Sequence, residues 1–252
     1  MFKFIIRPAG KPSYMARRAY HSIDHPSSNI IVNPKSMESI ILTKSLTYLP
    51  KFGFDSLCIT QAIRDLKYPD SLQSAISSSP SGNSLEFQLM LHWLKIQRQN
   101  LQDHVLDPKS EFNSINDEYE RVIYLINKRL EYNQPIINKL STGLSQLIAP
   151  YNMNQSLDEL HNLSDDIAFY AGDTSNDFAW YSKRLGFSSI YVSSEVFMLQ
   201  DTSKDFHHTR KFVEDKVQAF SNLGGAYNDV EQWGTFNAIS LVNLIKTQLA
   251  RG

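Results

Sequence analysis

The sequence has little of what several functional classes require. Its single cysteine, Cys58, excludes an internal disulfide framework and a zinc site built from cysteines. Ten glycines and ten prolines in 252 residues leave little material for glycine-rich nucleotide loops or for a turn-dense all-β fold. No stretch approaches the roughly 18 apolar residues that a membrane-spanning helix needs. With 42% hydrophobic and 12% aromatic residues, the chain still has enough apolar material for a folded core.

The sequence also has none of the short motifs that assemble common catalytic sites. It contains no Glu-x-x-His pair for a di-iron centre, no His-Glu-x-x-His zinc motif, no Walker loop and no Gly-x-Gly-x-x-Gly. His207 and His208 are adjacent, so on a helix they point about 100° apart and do not chelate one ion together. We therefore predict that the protein is not an enzyme and has neither a metal site nor a cofactor.

The first twenty residues differ in charge from the rest of the chain. Residues 1–20 contain five basic residues and no acid, and their apolar run ends at Arg7 and Pro8, too soon for a secretory signal. This composition predicts a mitochondrial presequence, with a disordered basic tail as the alternative. Without residues 1–20 the chain has 20 basic and 26 acidic residues, a net charge of −6, which disfavours broad nucleic-acid binding.

Apolar residues recur at helical spacing almost everywhere after a polar, proline-containing linker at residues 21–37. No strand-like alternation of any length and no internal repeat interrupts this pattern. We therefore predict an all-α protein of about ten helices. Its expected divisions are a helical domain over 38–222, a flexible linker with two glycines over 223–233, and a final helix over 234–252.

The segment 39–76 resembles the N-terminal part of TetR-type regulators, where a helix, a Gly-aromatic turn and two short helices follow one another. The turn here lies at residues 51–54. In a DNA reader the third helix would carry basic and amide side chains, whereas residues 70–76 contain neither lysine nor arginine. We expect a three-helix packing unit without a ligand, and no nucleic-acid partner.

Residues 164–184 combine paired acids, aromatic residues and an arginine. Gly172 predicts the end of one helix before a second, mostly apolar helix, and a helix without a polar face normally lies at the centre of its bundle. Four residues of that second helix fall on one stripe: Trp180, Arg184, Phe187 and Tyr191. An arginine within such a stripe must snorkel to water or meet an anion. Its anion is either a carboxylate of this chain or a phosphate head group at the mouth of a pocket.

The final helix, over 234–252, has one apolar face and no acid. The apolar face consists of Ala238, Leu241, Val242, Ile245 and Leu249. A helix of this composition with a basic tip can lie in a membrane interface. The alternative is an ordinary terminal helix that docks on the bundle.

Two parts of the chain carry a family resemblance. The first contains Asp165-Asp166, Tyr170-Ala171-Gly172-Asp173, Asp177-Phe178, Trp180-Tyr181, Arg184, Met198-Leu199-Gln200-Asp201 and Asp205-Phe206. The second is the C-terminus, residues 242–252. On these residues the chain resembles the mitochondrial ubiquinone-biosynthesis lipid-binding protein family, of the fungal type. The resemblance is strong across 157–221, good at the C-terminus, and faint across 38–76.

The resemblance implies an all-α, TetR-like fold that does not bind DNA. It further implies a homodimer that is peripheral to the matrix face of the mitochondrial inner membrane. Such a protein would bind isoprenoid quinone intermediates and phospholipid in an apolar cavity. It would present the intermediate to the di-iron demethoxyubiquinone hydroxylase, within a complex of other ubiquinone-biosynthesis proteins.

The resemblance also implies roles for individual residues. The partner-docking patch corresponds to Asp165, Ile167, Trp180 and Tyr181, although the family often has Met where this chain has Ile167. The contact with a phospholipid head group corresponds to Arg184, and we assign its stripe neighbours Phe187 and Tyr191 to lipid binding as well. The membrane-contacting residues are expected in the final helix: Leu241, Val242, Leu244, Ile245 and Leu249.

Two further classes of function stay open at this point. The chain could be a protein-docking scaffold of the biosynthetic complex without lipid cargo of its own. A TetR-type DNA-binding regulator is disfavoured by the acidic chain and by the third helix without basic residues.

Overall fold

The computed structural model describes residues 33–78, 82–175 and 177–223. Within these ranges the chain forms ten α-helices and three short 3₁₀ helices, and none of these residues lies in a β-strand. The α-helices are α1 (Met37–Leu46), α2 (Leu49–Phe52), α3 (Ser56–Asp65), α4 (Ser71–Ser77), α5 (Leu85–Leu106), α6 (Glu118–Glu131), α7 (Ile137–Leu147), α8 (Met153–Ala171), α9 (Asp177–Met198) and α10 (His207–Leu223). The prediction of an all-α bundle of about ten helices is confirmed.

Short polar side chains begin several of these helices. Ser36, Asp55, Ser84 and Asp117 accept hydrogen bonds from backbone N–H groups in the first turns of α1, α3, α5 and α6. Pro50 lies in the first turn of α2. Proline suits this position because backbone N–H groups in the first turn have no carbonyl partner within the helix, and because its fixed φ is helical. Local sequence therefore explains where these helices begin.

The buried apolar residues form two clusters, which we call the N-terminal core and the C-terminal core. The N-terminal core draws on α1 to α4, the first half of α5, and α7, with Ile41, Ile59, Ile63, Leu89 and Leu140 almost fully buried. The C-terminal core draws on the end of α5 and on α6, α8, α9 and α10, with Leu101, Val122, Ile126, Ile167 and Phe187 almost fully buried. Helix α5, about 33 Å long from its 22 residues, belongs to both clusters.

Several expectations from the sequence lie outside the described residues. These are the presequence over 1–20, the final helix over 234–252 and most of both linkers. The proposed domain boundaries therefore stay predictions. Among the described residues, none of the helices is long and apolar enough to cross a bilayer.

Candidate functional site

A tight turn joins α8 to α9. Gly172 ends α8 with a φ of 90°, in the left-handed region that glycine adopts without steric cost. Its N–H donates to the Phe169 carbonyl, and the N–H of Asp173 donates to the Ala168 carbonyl, both at 3.0 Å. The predicted helix end at Gly172 is thereby confirmed, and the turn brings the charged residues of α9 back onto α8.

Arg184 lies in the interior of this hairpin and is 1% exposed. Its Nε donates to Asp165 Oδ1 at 2.7 Å, and its Nη1 donates to Asp173 Oδ2 at 2.8 Å. The guanidinium carbon lies 4.0 Å from the centre of the Trp180 ring, within the range of a cation–π contact. Of the two anions that the sequence left open for Arg184, the geometry favours carboxylates of this chain. Contact with a phosphate head group stays a prediction.

The Asp173 carboxylate holds the turn to α9 and, through Lys183, to α6. Its Oδ1 accepts hydrogen bonds from the backbone and side chain of Ser175 and from Lys183 Nζ, and Lys183 also pairs with Glu118 of α6. Burial alone would raise the pKa of the Asp173 carboxyl. The hydrogen bonds from Ser175, Arg184 and Lys183 outweigh that effect and hold this pKa well below its usual range. The carboxylate is therefore charged at physiological pH.

The neighbouring acid, Asp166, pairs with a different helix, α5. Arg98 of α5 donates from Nε to Asp166 Oδ2 at 2.7 Å and from Nη1 to Glu159 Oε1 at 3.0 Å. Arg98 is 1% exposed, so this pairing is buried. Burial raises the pKa of Glu159, and the adjacent guanidinium opposes that rise. Since Asp165 meets α9 while Asp166 meets α5, the acidic pair ties α8 to both neighbours.

The four residues predicted to dock a partner lie at different depths. Tyr181 is 52% exposed, whereas Trp180 is 7% exposed and Ile167 is fully buried. The Asp165 carboxylate retains some exposure beside Arg184. The Trp180 ring packs edge-on against Tyr181 with centroids 4.8 Å apart, and His161 of α8 lies 6.0 Å from the Trp180 ring. Tyr181 is thus the surface residue of this group, and Trp180 supports it from below.

The stripe residues assigned to lipid binding lie in the C-terminal core. Phe187 is fully buried, and Tyr191 is nearly so. The Tyr191 hydroxyl donates to Glu195 Oε1 at 2.7 Å, and Asn133 Nδ2 donates to the same oxygen at 2.7 Å. Burial raises the pKa of Tyr191 well above its usual value. Arg129 of α6 donates to Asn133 and places its guanidinium over the Tyr191 ring, which completes a buried polar cluster.

The sequence did not identify every residue of these sites. Four residues were missed: Arg98, Glu159, Arg129 and Glu195. Arg98 pairs with α8 across more than sixty positions, so nothing local indicated its partners. Local signals were available for the others. Glu159 and Asp166 are seven positions apart on α8 and share a helix face. Arg129 and Asn133, like Tyr191 and Glu195, are four positions apart.

Part of the predicted site cannot be placed. The expected membrane-contacting residues Leu241, Val242, Leu244, Ile245 and Leu249 lie outside the described residues. Among the residues that are described, no group of three histidine, cysteine, aspartate or glutamate side chains is arranged to hold a metal ion.

The chain is similar to known proteins over most of its length. The COQ9 family model matches residues 153–224, which span α8, α9 and α10. Among curated proteins, the "Ubiquinone biosynthesis protein COQ9, mitochondrial" of Saccharomyces cerevisiae is 34% identical over 254 residues, covering 93% of this chain and 95% of the yeast protein. The Schizosaccharomyces pombe protein of the same description is 32% identical over 236 residues, covering 94% and 89%. The human protein is 30% identical over 205 residues, covering 79% and 62%.

Proposed function

This chain belongs to the COQ9 family, and from that membership we propose that it is a lipid-binding accessory protein of ubiquinone biosynthesis. Its relatives are named as mitochondrial ubiquinone biosynthesis proteins, and this chain shares that pathway and compartment. We further propose that it binds isoprenoid quinone intermediates and phospholipid, and presents the intermediate to the di-iron demethoxyubiquinone hydroxylase. It would act as a homodimer on the matrix side of the inner membrane and carry out no chemistry itself.

The proposed cargo site is the C-terminal core. Phe187 contributes aromatic surface there among buried apolar side chains of α6, α8 and α10, whereas the Tyr191 hydroxyl belongs to the buried polar cluster around Glu195. An isoprenoid tail that leaves the bilayer for such a core exchanges one apolar environment for another, so transfer is nearly balanced. A balanced transfer suits a protein that must both take up its ligand and release it.

The observation that carries the docking proposal is the ion-paired α8–α9 hairpin with an exposed aromatic at its surface. Arg184 and Arg98 fix α8 from two sides, so Tyr181 is held on a rigid support. Leu185, one helical turn after Tyr181, is 51% exposed and extends the apolar surface. Large aromatic residues on rigid supports commonly dominate the energetics of protein interfaces.

The proposed membrane contact is the final helix, through Leu241, Val242, Leu244, Ile245 and Leu249. Its acid-free sequence and basic end support a helix in the membrane interface, where apolar residues enter the acyl chains and basic residues meet anionic lipids. This contact would hold the C-terminal core close to the bilayer that contains the quinone intermediates.

Substitution of Tyr181 tests the docking proposal. We expect Tyr181→Ala to weaken binding of the purified hydroxylase by about 2 kcal/mol, roughly 30-fold, because it removes an interface aromatic. Calorimetric titration of the full chain with the hydroxylase measures this loss. Tyr151→Ala is the matched control, since Tyr151 is 77% exposed and precedes α8 at its other end. Equal affinities for the unsubstituted chain and both variants would contradict docking through Tyr181.

A further inference from the structure

Helices α9 and α10 meet where a ring fills the place of a missing side chain. A Cβ atom added to Gly186 of α9 would come within 2.3 Å of the Phe220 ring of α10, which no real contact permits. The same ring packs edge-on against Phe187, with centroids 5.6 Å apart. The Phe220 side chain therefore occupies a notch that exists only because residue 186 is glycine.

The face of α9 around this notch is made of small residues. Ser182, Ser189 and Ser193 share the stripe of Gly186, at spacings of three or four residues. On α10, which packs against α9, Val213, Val217 and Phe220 are buried. Small residues allow two helices to approach closely, but they provide few large side chains to interlock. Phe220 inserts its ring into this stripe at Gly186.

The N-terminal end of α10 is fixed in a different way. The Asp201 carboxylate accepts hydrogen bonds from the Thr209 backbone N–H at 2.8 Å and from the Thr209 hydroxyl at 2.7 Å, and it also accepts from the Ser203 N–H at 2.8 Å. Near the same end, the rings of Phe197 and Phe212 stack with centroids 4.7 Å apart. Directional polar contacts and a stacked pair thus hold this end of the helix.

Among the described residues, the C-terminal end of α10 is held by Phe220 in the notch. Next to it, Ser221 lies close to the Tyr119 hydroxyl of α6. An apolar chain can replace a phenyl ring in an apolar notch, whereas it cannot replace the hydrogen bonds that Asp201 accepts. An apolar ligand could therefore displace the C-terminal end of α10 but not its N-terminal end.

We infer that the apolar chain of a bound lipid enters the C-terminal core between α9 and α10, by displacing Phe220 from the Gly186 notch while the Asp201 end of α10 stays in place. This inference rests on the proposed lipid-binding function and assigns it an entry route. Phe187 lies directly behind Phe220, so an entering chain would first meet the stripe residue that the sequence assigned to lipid binding.

Crosslinking either end of α10 tests this route. In the full chain with Cys58→Ser, one variant carries Tyr119→Cys and Ser221→Cys, and the other carries Phe197→Cys and Phe212→Cys. Each pair is joined by a reducible bismaleimide. The probe is pyrene-labelled phosphatidylcholine, self-quenched in phosphatidylcholine vesicles, whose fluorescence rises on transfer to the protein. We expect the 119–221 crosslink to slow uptake by about tenfold and the 197–212 crosslink to leave it within about twofold.

Reduction of the crosslinker restores fast uptake if the route is correct. Equal uptake by both crosslinked variants would overturn the route while leaving lipid binding intact. Failure of the uncrosslinked chain to take up the probe would overturn lipid binding and the route with it.

A second pair of variants avoids crosslinks. Phe220→Ala empties the notch and should speed uptake of the same probe, whereas Phe212→Ala removes a ring from the fixed end and should not. Helical circular dichroism spectra establish that both variants are folded. Faster uptake by Phe212→Ala alone would contradict the route.

Discussion

The N-terminal and C-terminal cores of this protein differ in whether charged side chains are buried beside them. The buried charged side chains of the described residues lie on α5, α6, α8, α9 and the α8–α9 turn: Arg98, Arg129, Glu159, Asp166, Asp173, Arg184 and Glu195. The polar residues buried with α1 to α4 and the start of α5 are uncharged types, such as Ser45 and Gln88, or a neutral histidine, His92. Apolar packing therefore organises one half of the bundle, and apolar packing together with buried ion pairs organises the other.

This difference supports the proposed docking role of the α8–α9 hairpin. Buried ion pairs add little net stability, because desolvation offsets most of their attraction, but they are directional and fix the relative positions of helices. An apolar packing unit needs no such directionality. The desolvation cost of the buried charged side chains in the C-terminal half is consistent with the proposed docking role, which requires the exposed face of the hairpin to keep one geometry.

The largest expected effect comes from breaking the buried pairing of the C-terminal half. Arg98→Ala leaves Glu159 and Asp166 buried without their cation, and we expect a loss of about 3–5 kcal/mol in the free energy of unfolding. Urea denaturation measures this loss. Arg64→Ala is the control, because Arg64 and Asp70 form an exposed pair on the N-terminal half, worth about 0–1 kcal/mol. Similar losses in the two variants would remove the contrast between the cores.

The next effect concerns the pH dependence of stability and the titration of His92 in the N-terminal core. Burial, with a smaller contribution from Lys95, lowers the pKa of His92 from 6.5 to about 4, and the ring lies 2.8 Å from the Thr43 hydroxyl. Because the folded state disfavours the protonated ring, the contribution of His92 to the free energy of unfolding is fully present above pH 6.5. The free energy of unfolding falls by up to about 3 kcal/mol as the pH drops to 4.

The lowered pKa of Asp173 affects stability over a different pH range. Its stabilising contribution is present above the ordinary aspartate pKa of 3.8 and is lost only below that value. Between pH 6.5 and 4, urea titrations should therefore show a loss of stability that His92→Asn reduces, leaving the part due to His104, whose pKa burial also lowers. A loss of the same size in His92→Asn would assign it to other groups.

A smaller effect compares two glycines, one in each core. A Cβ at Gly143 would come within 2.5 Å of the Phe54 ring and 2.7 Å of Met90, both in the interior of the N-terminal core. A Cβ at Gly186 would strike Phe220, on a helix that we propose can move. We expect each alanine variant to lose about 1–3 kcal/mol, with Gly143→Ala the more destabilised. Thermal melts that rank the two in the opposite order would count against a mobile α10.

The parts of the fold that depend on local sequence could be predicted. Periodic apolar residues established the helices, and Gly172 marked the end of α8 because only glycine takes its left-handed φ readily. The burial of Phe187 and Tyr191 followed from their position on one stripe of a mostly apolar helix.

Contacts between distant positions could not be predicted in the same way. Arg98 meets Asp166 across 68 positions, and Asn133 meets Glu195 across 62, so nothing in their local sequence indicates the partner. The family resemblance suggested that Trp180 and Ile167 belong to a surface patch, whereas their exposure depends on how α8 and α9 pack. The structure places Tyr181, and not these two, at the surface.

The most direct test of the central claim is the lipid content of the purified full chain. Organic extraction and mass spectrometry, calibrated against protein concentration, should find isoprenoid quinone intermediates or phospholipid at about one molecule per chain, since a site of this kind holds a single ligand. A folded protein, with its full helical circular dichroism signal and no bound lipid, would contradict lipid binding. It would leave the chain as a docking scaffold of the biosynthetic complex.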